Sequence, residues 1–315
     1  GIGPAKAKNI KGYSEWGKID AQLKKLDATG IKIITFSNKD YPETLKNIED
    51  APIVLYIKGT IQKEDRYAVA VVGSRKYSPY GKLAAEKLSS ELSSMGFTIV
   101  SGMARGIDTL AHTAAINSGG RSIAVLGSGI DVPYPPENRG LMEKLAASGC
   151  VISEFPPGTL PERENFPKRN RIISGLSLGV LVVEATADSG SLITASCALE
   201  QGKEVFAVPG NINSVNSKGT NELIKKGAKL VQSAEDVIEE LAPILKGYIR
   251  TREKANIELS VEEKRLCDIM TAEPKHVDML SRESKMPAQK VLGILLSLEL
   301  NGIAKQAEGK KFFLA

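Results

Sequence analysis

The chain has 315 residues, 42% hydrophobic and 25% charged, and 42 Lys and Arg against 37 Asp and Glu give a formal net charge of +5. That composition excludes a disordered or collagen-like chain and permits two or three domains with proper cores. The mild basicity permits an acidic partner without demanding one.

No apolar run reaches the length of a membrane span and no signal peptide stands out. The cysteines Cys150, Cys197 and Cys267 are odd in number and far apart, which fits neither a disulfide framework nor a metal site and points to a reducing cytoplasm. Starting at Gly1 without a methionine, the chain reads as trimmed at its front.

Residues 1–60 read as a small helical domain with a connector. Gly1, Gly3 and Ala7 match the GxGxxxA of a helix-hairpin-helix, although a plain turn and helix is the commoner meaning of so short a match. Trp16, the sole tryptophan, is expected in the core. The segment closes on a strand-like run, Ile53 to Gly59.

Residues 61–241 alternate apolar runs with helical stretches. The runs are Ala68 to Val72, Phe97 to Val100, Ser122 to Leu126, Gly149 to Ser153, Gly179 to Val183, Glu204 to Val208 and Lys229 to Val231; between them lie helices such as Lys82 to Met95 and Leu192 to Gln201. Unbroken apolar strands alternating with helices predict an α/β fold: a doubly wound, Rossmann-like, mostly parallel sheet of about seven strands. Residues 242–257 form a charged linker. Residues 258–315 read as three helices and a hairpin, the order of a winged helix. Its candidate recognition helix, Pro287 to Asn301, carries only Lys290 and Glu299 as charges and makes a poor groove reader. A packing or partner-binding module is expected there, with weak duplex contact left open through Lys305, Lys310 and Lys311.

The candidate chemistry lies in the loops after the strands, where open sheets bind ligands. The first, GSRKYSPYG from Gly73 to Gly81, lacks the second and third glycines of a dinucleotide fingerprint. Ser74 and Arg75 stand where a pyrophosphate loop needs bare glycine, and Arg75 and Lys76 point to phosphate or to a solvated turn about equally. The second, SGMARGID from Ser101 to Asp108, sets Gly102 and Gly106 around Arg105 ahead of a helix. Glycines let main-chain N–H groups approach an anion, arginine offers a planar fork of donors, and a helix N-terminus adds positive potential. The third, GSGIDVPYPPEN from Gly127 to Asn138, taken alone reads as a rigid surface loop.

Next, PERENFPKRNRIISG sets Arg163, Lys168, Arg169 and Arg171 against Glu164, with Phe166 in their midst. Cations that track a backbone and a ring that stacks a base suit single-stranded nucleic acid. A solvated basic run around a core Phe166 is the plainer meaning, and one of Arg169 and Arg171 is a candidate for holding a loop. Ser189 to Ser191 open a helix as caps or phosphate donors. Only His112 and His276 exist, in different predicted domains, and Glu184 and Asp188 find no third metal ligand in sequence, so no catalytic or metal site is expected.

Gly-Ser-Arg at 73–75, SGMARGID at 101–108, FPKRNRIISG at 166–175, SGSLITA at 189–195 and AVPG at 207–210, preceded by DYPETLKNIEDAP, occur together in this order. This series resembles the DNA-processing protein A family, DprA or Smf, closely over about residues 36–241. The resemblance implies a protein without catalytic activity or cofactor. It implies one that binds single-stranded DNA, protects incoming DNA, displaces or works alongside single-strand-binding protein, and loads the RecA recombinase in natural transformation, as a homodimer. Carried over by motif, Gly73, Ser74, Arg75, Gly102, Arg105 and Gly106 would face phosphates, and Phe166, Lys168, Arg169 and Asn170 would line the same groove. The alternative is a nucleotide-binding enzyme of a Rossmann-like phosphoribohydrolase type, whose PGGxGT loop and acid are replaced here by ADSGSL.

Overall fold

In the computed structural model, residues 3–245, 260–271, 273–300, 304–307 and 309–314 are described. The expected linker therefore lies outside the described residues from 246 on, as does Gly1 of the GxGxxxA match. The chain divides into two compact units, Gly1–Leu241 and Ala242–Ala315.

The first unit begins with α1 (Pro4–Lys11) and α2 (Trp16–Ala28), then β1 (Ile31–Thr35), the single turn α3 (Glu43–Lys46) and β2 (Val54–Gly59). It continues through β3 (Ala68–Val72), α4 (Pro79–Ser94), β4 (Thr98–Ser101), α5 (Ile107–Asn117), β5 (Ser122–Leu126), α6 (Arg139–Ser148), β6 (Cys150–Ser153), α7 (Asn165–Gly175) and β7 (Gly179–Val182). It ends with α8 (Ser191–Glu200), β8 (Glu204–Ala207), α9 (Lys218–Lys225), β9 (Lys229–Leu230) and α10 (Ala234–Leu241).

The strands form one nine-stranded sheet in the order β1-β2-β6-β5-β4-β3-β7-β8-β9. The seven expected strands are β3 to β9, all parallel to their neighbours within that set. β1 and β2 lie within residues 1–60, expected as a separate front segment, and β1 falls where the sequence predicts no strand. Both add to the sheet, β2 pairing antiparallel with β6 and β1 with β2. Arg121 secures this addition: its Nε and Nη2 donate to Asp65, Nη1 to Ser148 O and Nη2 also to Thr60 O.

β3, AVAVV, is buried along its whole length because helices cover both faces of the sheet. One apolar cluster joins Val72, Val100 and Val125 to Leu45 and Ile48, to Ile172 and Ile173 of α7 and to Ala195 of α8. Another joins Ala124, Leu126 and Val151 to Met103, to Met142 and Leu145 of α6 and to Leu26 of α2. The front motif DYPETLKNIEDAP belongs to the first cluster: the Tyr41 hydroxyl donates to Pro52 O at 2.7 Å and Asp50 pairs with Arg171 at 2.6 Å. Trp16, expected in the core, is 61% exposed and lies edge-to-face on Tyr13. The reason is that α2 buries only Leu26.

Strand order reverses at β3: successive strands run outward through β4, β5 and β6, then resume beyond β3 with β7. The loops after β3, β4, β5 and β7 thus meet at the carboxyl ends of the strands around a switch point, where such sheets bind ligands.

The second unit comprises α11 (Val261–Ile269), β10 (Lys275–His276), α12 (Val277–Ser284), α13 (Ala288–Leu300) and the antiparallel hairpin β11 (Ala304–Ala307) and β12 (Lys311–Leu314). Its core joins Leu266, Leu280, Val291, Leu295 and Phe312. This is the winged helix expected from the order of its elements. Lys290, one of the two charges of the candidate recognition helix, is paired with Glu262 of α11 at 2.5 Å.

Candidate nucleic-acid interface

The loop after β4 is held from within. Asp108, at the start of α5, turns its buried carboxylate back to accept from Gly102 N at 3.1 Å and Ala104 N at 3.4 Å. The Asn138 side chain donates to Met103 O and to Thr109 Oγ1, and Thr109 Oγ1 donates to Ala104 O. Burial raises the Asp108 pKa, opposed chiefly by the charge of Arg169.

Arg169 sits in the middle of α7 and is 4% exposed. Its Nη1 donates to Gly102 O at 2.6 Å and to Val125 O, and its Nε donates to Asn170 Oδ1 at 3.2 Å. Desolvation draws its pKa down to about 10 against the pull of Asp108. Asn170 is also buried and bridges to Gly190 O at 3.4 Å. Arg169 and Asn170 therefore turn inward, tying α7 to the loop after β4, to β5 itself and to the loop after β7. Arg171 is likewise engaged, with Asp50 and Glu154, and Lys203 Nζ donates to Ser174 O and Gly175 O at the other end of α7.

The glycines serve these close approaches. Gly106 has φ +88°, and a Cβ there would fall 2.2 Å from Ser74 O. A Cβ on Gly102 would lie 2.5 Å from the Arg169 guanidinium, and one on Gly73 would lie 2.7 Å from Ile107 Cγ1. Ser74 is buried: its N–H donates to Glu184 O at 2.7 Å and its hydroxyl to Lys76 O at 2.7 Å. Glu184 and Asp188 do not converge on a metal. Glu184 accepts from Ser78 N and Ser78 Oγ at the start of α4, and Asp188 accepts from Thr186 Oγ1. Ser189 and Ser191 bond each other at 2.8 Å, and Ser189 Oγ also accepts from Ser191 N, the first N–H of α8, at 3.4 Å.

On this scaffold stand the outward-facing groups. Arg75 is exposed and places its guanidinium 5.6 Å from the centre of the half-buried Phe166 ring. Tyr134 lies against the same ring, centroids 5.6 Å apart and planes at 43°. Arg105 is 6.0 Å from the Tyr134 ring and makes a two-pronged ion pair with Glu137, Nε to Oε1 at 2.5 Å and Nη2 to Oε2 at 3.1 Å. Arg75, Gly102, Ala104, Arg105, Gly127, Tyr134, Pro135 and Phe166 line a common depression. Lys168 is exposed on α7 and is not among its lining residues. The structure thus brings Arg75, Gly102, Arg105 and Phe166 together and places Gly73, Ser74, Gly106, Arg169 and Asn170 in the supporting layer.

Sequence reasoning missed Tyr134, Pro135 and Glu137. The signal for them was the Tyr-Pro-Pro-Glu run in a loop following a buried strand, whose rigidity alone did not show which way the ring faced. The depression encloses only about 20 Å³. Sites that bury a small molecule enclose roughly 300–1,000 Å³, so this shelf of cations and rings is too small to bury one.

The sequence profile of DNA recombination-mediator protein A matches residues 32–242, and that of the DprA winged helix domain matches residues 250–310. The DNA processing protein DprA of Bacillus subtilis is 48% identical over 214 residues, 67% of this chain and 72% of that protein. Protein Smf of Escherichia coli is 40% identical over 294 residues, 90% of this chain and 78% of that protein. Among solved structures, the DNA processing protein A of Streptococcus pneumoniae superposes with a TM-score of 0.66 at 45% identity, covering 70% of this chain and 77% of that one. The Helicobacter pylori protein, described for its single-stranded DNA binding mode, superposes with a TM-score of 0.61 at 31% identity, covering 68% of this chain and 97% of that one. With its sheet, its winged helix and these matches in agreement, the chain belongs to the DNA recombination-mediator protein A family, that of DprA and Smf.

Proposed function

We propose that the chain binds single-stranded DNA across this shelf and serves recombination as a binding protein. Arg75 and Arg105 hold phosphates, and Phe166 and Tyr134 offer ring faces to the bases. Lys168 extends the basic track along α7. Gly102 lines the shelf, and Gly73, Ser74, Gly106, Arg169 and Asn170 keep the loops in register beneath. In the cell the same protein, as a homodimer in the cytoplasm, protects incoming DNA alongside single-strand-binding protein and hands it to RecA during natural transformation.

The observation that carries this proposal is the pairing of two outward arginines with two aromatic rings on a shelf too small to bury a nucleotide. The single-stranded DNA binding of the Helicobacter pylori relative supports it. The same small volume weighs against the phosphoribohydrolase alternative, which needs room to bury its substrate.

Mobility shifts with oligothymidine and a duplex of equal length test it. Single strands bind in preference to duplex, and log affinity falls linearly with log salt at about 0.7 per phosphate contacted. Arg75→Ala and Arg105→Ala each weaken binding while the melting temperature stays unchanged. Equal affinity for duplex, or normal binding by both variants, overturns the proposal. RecA hand-over is read separately, as filament formation on strands already coated with single-strand-binding protein.

A further inference from the structure

The two arginines of the shelf are not equivalent. Among the described residues Arg75 has no carboxylate within ion-pair distance and stands over a ring. Arg105 has both prongs of its fork on Glu137, at 2.5 and 3.1 Å, the two-point geometry a phosphate would use. Glu137 is firmly carried: the next residue, Asn138, is buried and bonded to Met103 O and Thr109 Oγ1, within the loop that bears Arg105. Yet both partners are about half exposed, 53% and 54%, so the pair opens into water at little cost.

We infer that Glu137 is a specificity-determining residue that occupies Arg105 in place of phosphate, so that Arg105 engages only a strand already held at Arg75 and the rings. This rests on the assignment of the shelf to single-stranded DNA. A single small anion has to displace the carboxylate with no other contact to help it. A strand held at Arg75, Phe166 and Tyr134 presents its next phosphate to Arg105 at high local concentration and displaces Glu137 there. The exchange leaves a carboxylate beside the DNA, which retains a cation and makes the salt dependence one charge shallower than the count of arginines implies.

The experiment is a salt titration of oligothymidine binding by the full chain, Glu137→Gln, Glu137→Ala, Arg105→Ala and the double variant Arg105→Ala/Glu137→Gln, each first checked for an unchanged melting temperature. Glu137→Gln and Glu137→Ala are expected to tighten binding about two- to fivefold, the scale on which exposed ion pairs act. They are also expected to steepen the slope of log affinity against log salt by about 0.7. On the Arg105→Ala background the slope is expected to stay where it was. Inorganic phosphate, a weak competitor against the parent chain, should compete better against Glu137→Gln.

Weaker binding by both Glu137 variants, or an unchanged slope in them, overturns the proposal and makes Glu137 a support for Arg105. If that happens while Arg75→Ala and Arg105→Ala still weaken binding, only the role of Glu137 falls. If neither arginine variant weakens binding, the assignment of the shelf falls and takes the proposal with it.

Discussion

Arg169 and Arg105 show how one residue type is put to two uses, one buried and one exposed. Arg169 is 4% exposed and bonds Gly102 O, Val125 O and Asn170 Oδ1, so the loop after β4 and the end of β5 hang on one guanidinium. An apolar replacement strands two main-chain carbonyls and leaves the buried Asp108 without its compensating charge. Arg169→Met is expected to cost about 3 kcal/mol of stability, and Arg169→Lys is expected not to restore it, because an ammonium cannot span the same acceptors. Urea denaturation checks this; a stable Arg169→Met chain with weakened binding would instead put Arg169 on the DNA. The sequence showed a basic run with a ring in it but not which cation turned inward. That depends on helical phase, and α7 buries Asn165, Arg169, Ile172 and Ile173 as one stripe in which two positions are polar. Only a stripe of apolar residues is legible as a core face before the structure is known.

At the scale of elements, α5 is the piece most dependent on its surroundings. It starts at Gly106 in the left-handed region, carries the buried Asp108 in its first turn, and buries His112 against Ser122 Oγ, with Nδ1 2.7 Å away. Desolvation, followed by the charge of Arg169, lowers the His112 pKa to about 3. The folded-state value lies below the unfolded one, so this histidine's contribution to stability is complete above about pH 6.5 and is lost as pH falls toward 3. Asp108, raised by burial, acts in the opposite sense over its own acidic range. The prediction is specific to the imidazole: in the folded chain at pH 5 its ring resonances are those of the neutral form, and acid unfolding begins before it titrates. Protonation near pH 6.5 without unfolding would contradict the buried placement. The strand and helix succession from β3 to β9 was legible because unbroken apolar runs have few other meanings. β1 was not: Ile31–Thr35 is a five-residue edge strand with Lys32 and Thr35 exposed, and it acquires its identity only by pairing with β2.

Over the whole molecule, the sheet with its shelf and the winged helix fall in separate compact units, the chain dividing between Leu241 and Ala242. Every group assigned to DNA lies in the first. Among the described residues of the second, the candidate recognition helix offers little to a strand: Lys290 on α13 is tied to Glu262, and Leu292 of the same helix is 39% exposed where a groove reader would set cations or hydrogen-bonding groups. A chain ending at Leu241 is therefore expected to keep the oligothymidine affinity and the salt slope of the full chain, since the slope counts phosphate contacts and none is removed. Circular dichroism establishes first that the shortened chain retains its helices and melts cooperatively. Loss of strand binding by such a folded chain would move part of the interface into the winged helix. A slope shallower by about 0.7 would assign one phosphate contact to it, with the wing residues Lys305, Lys310 and Lys311 as the cations to replace next.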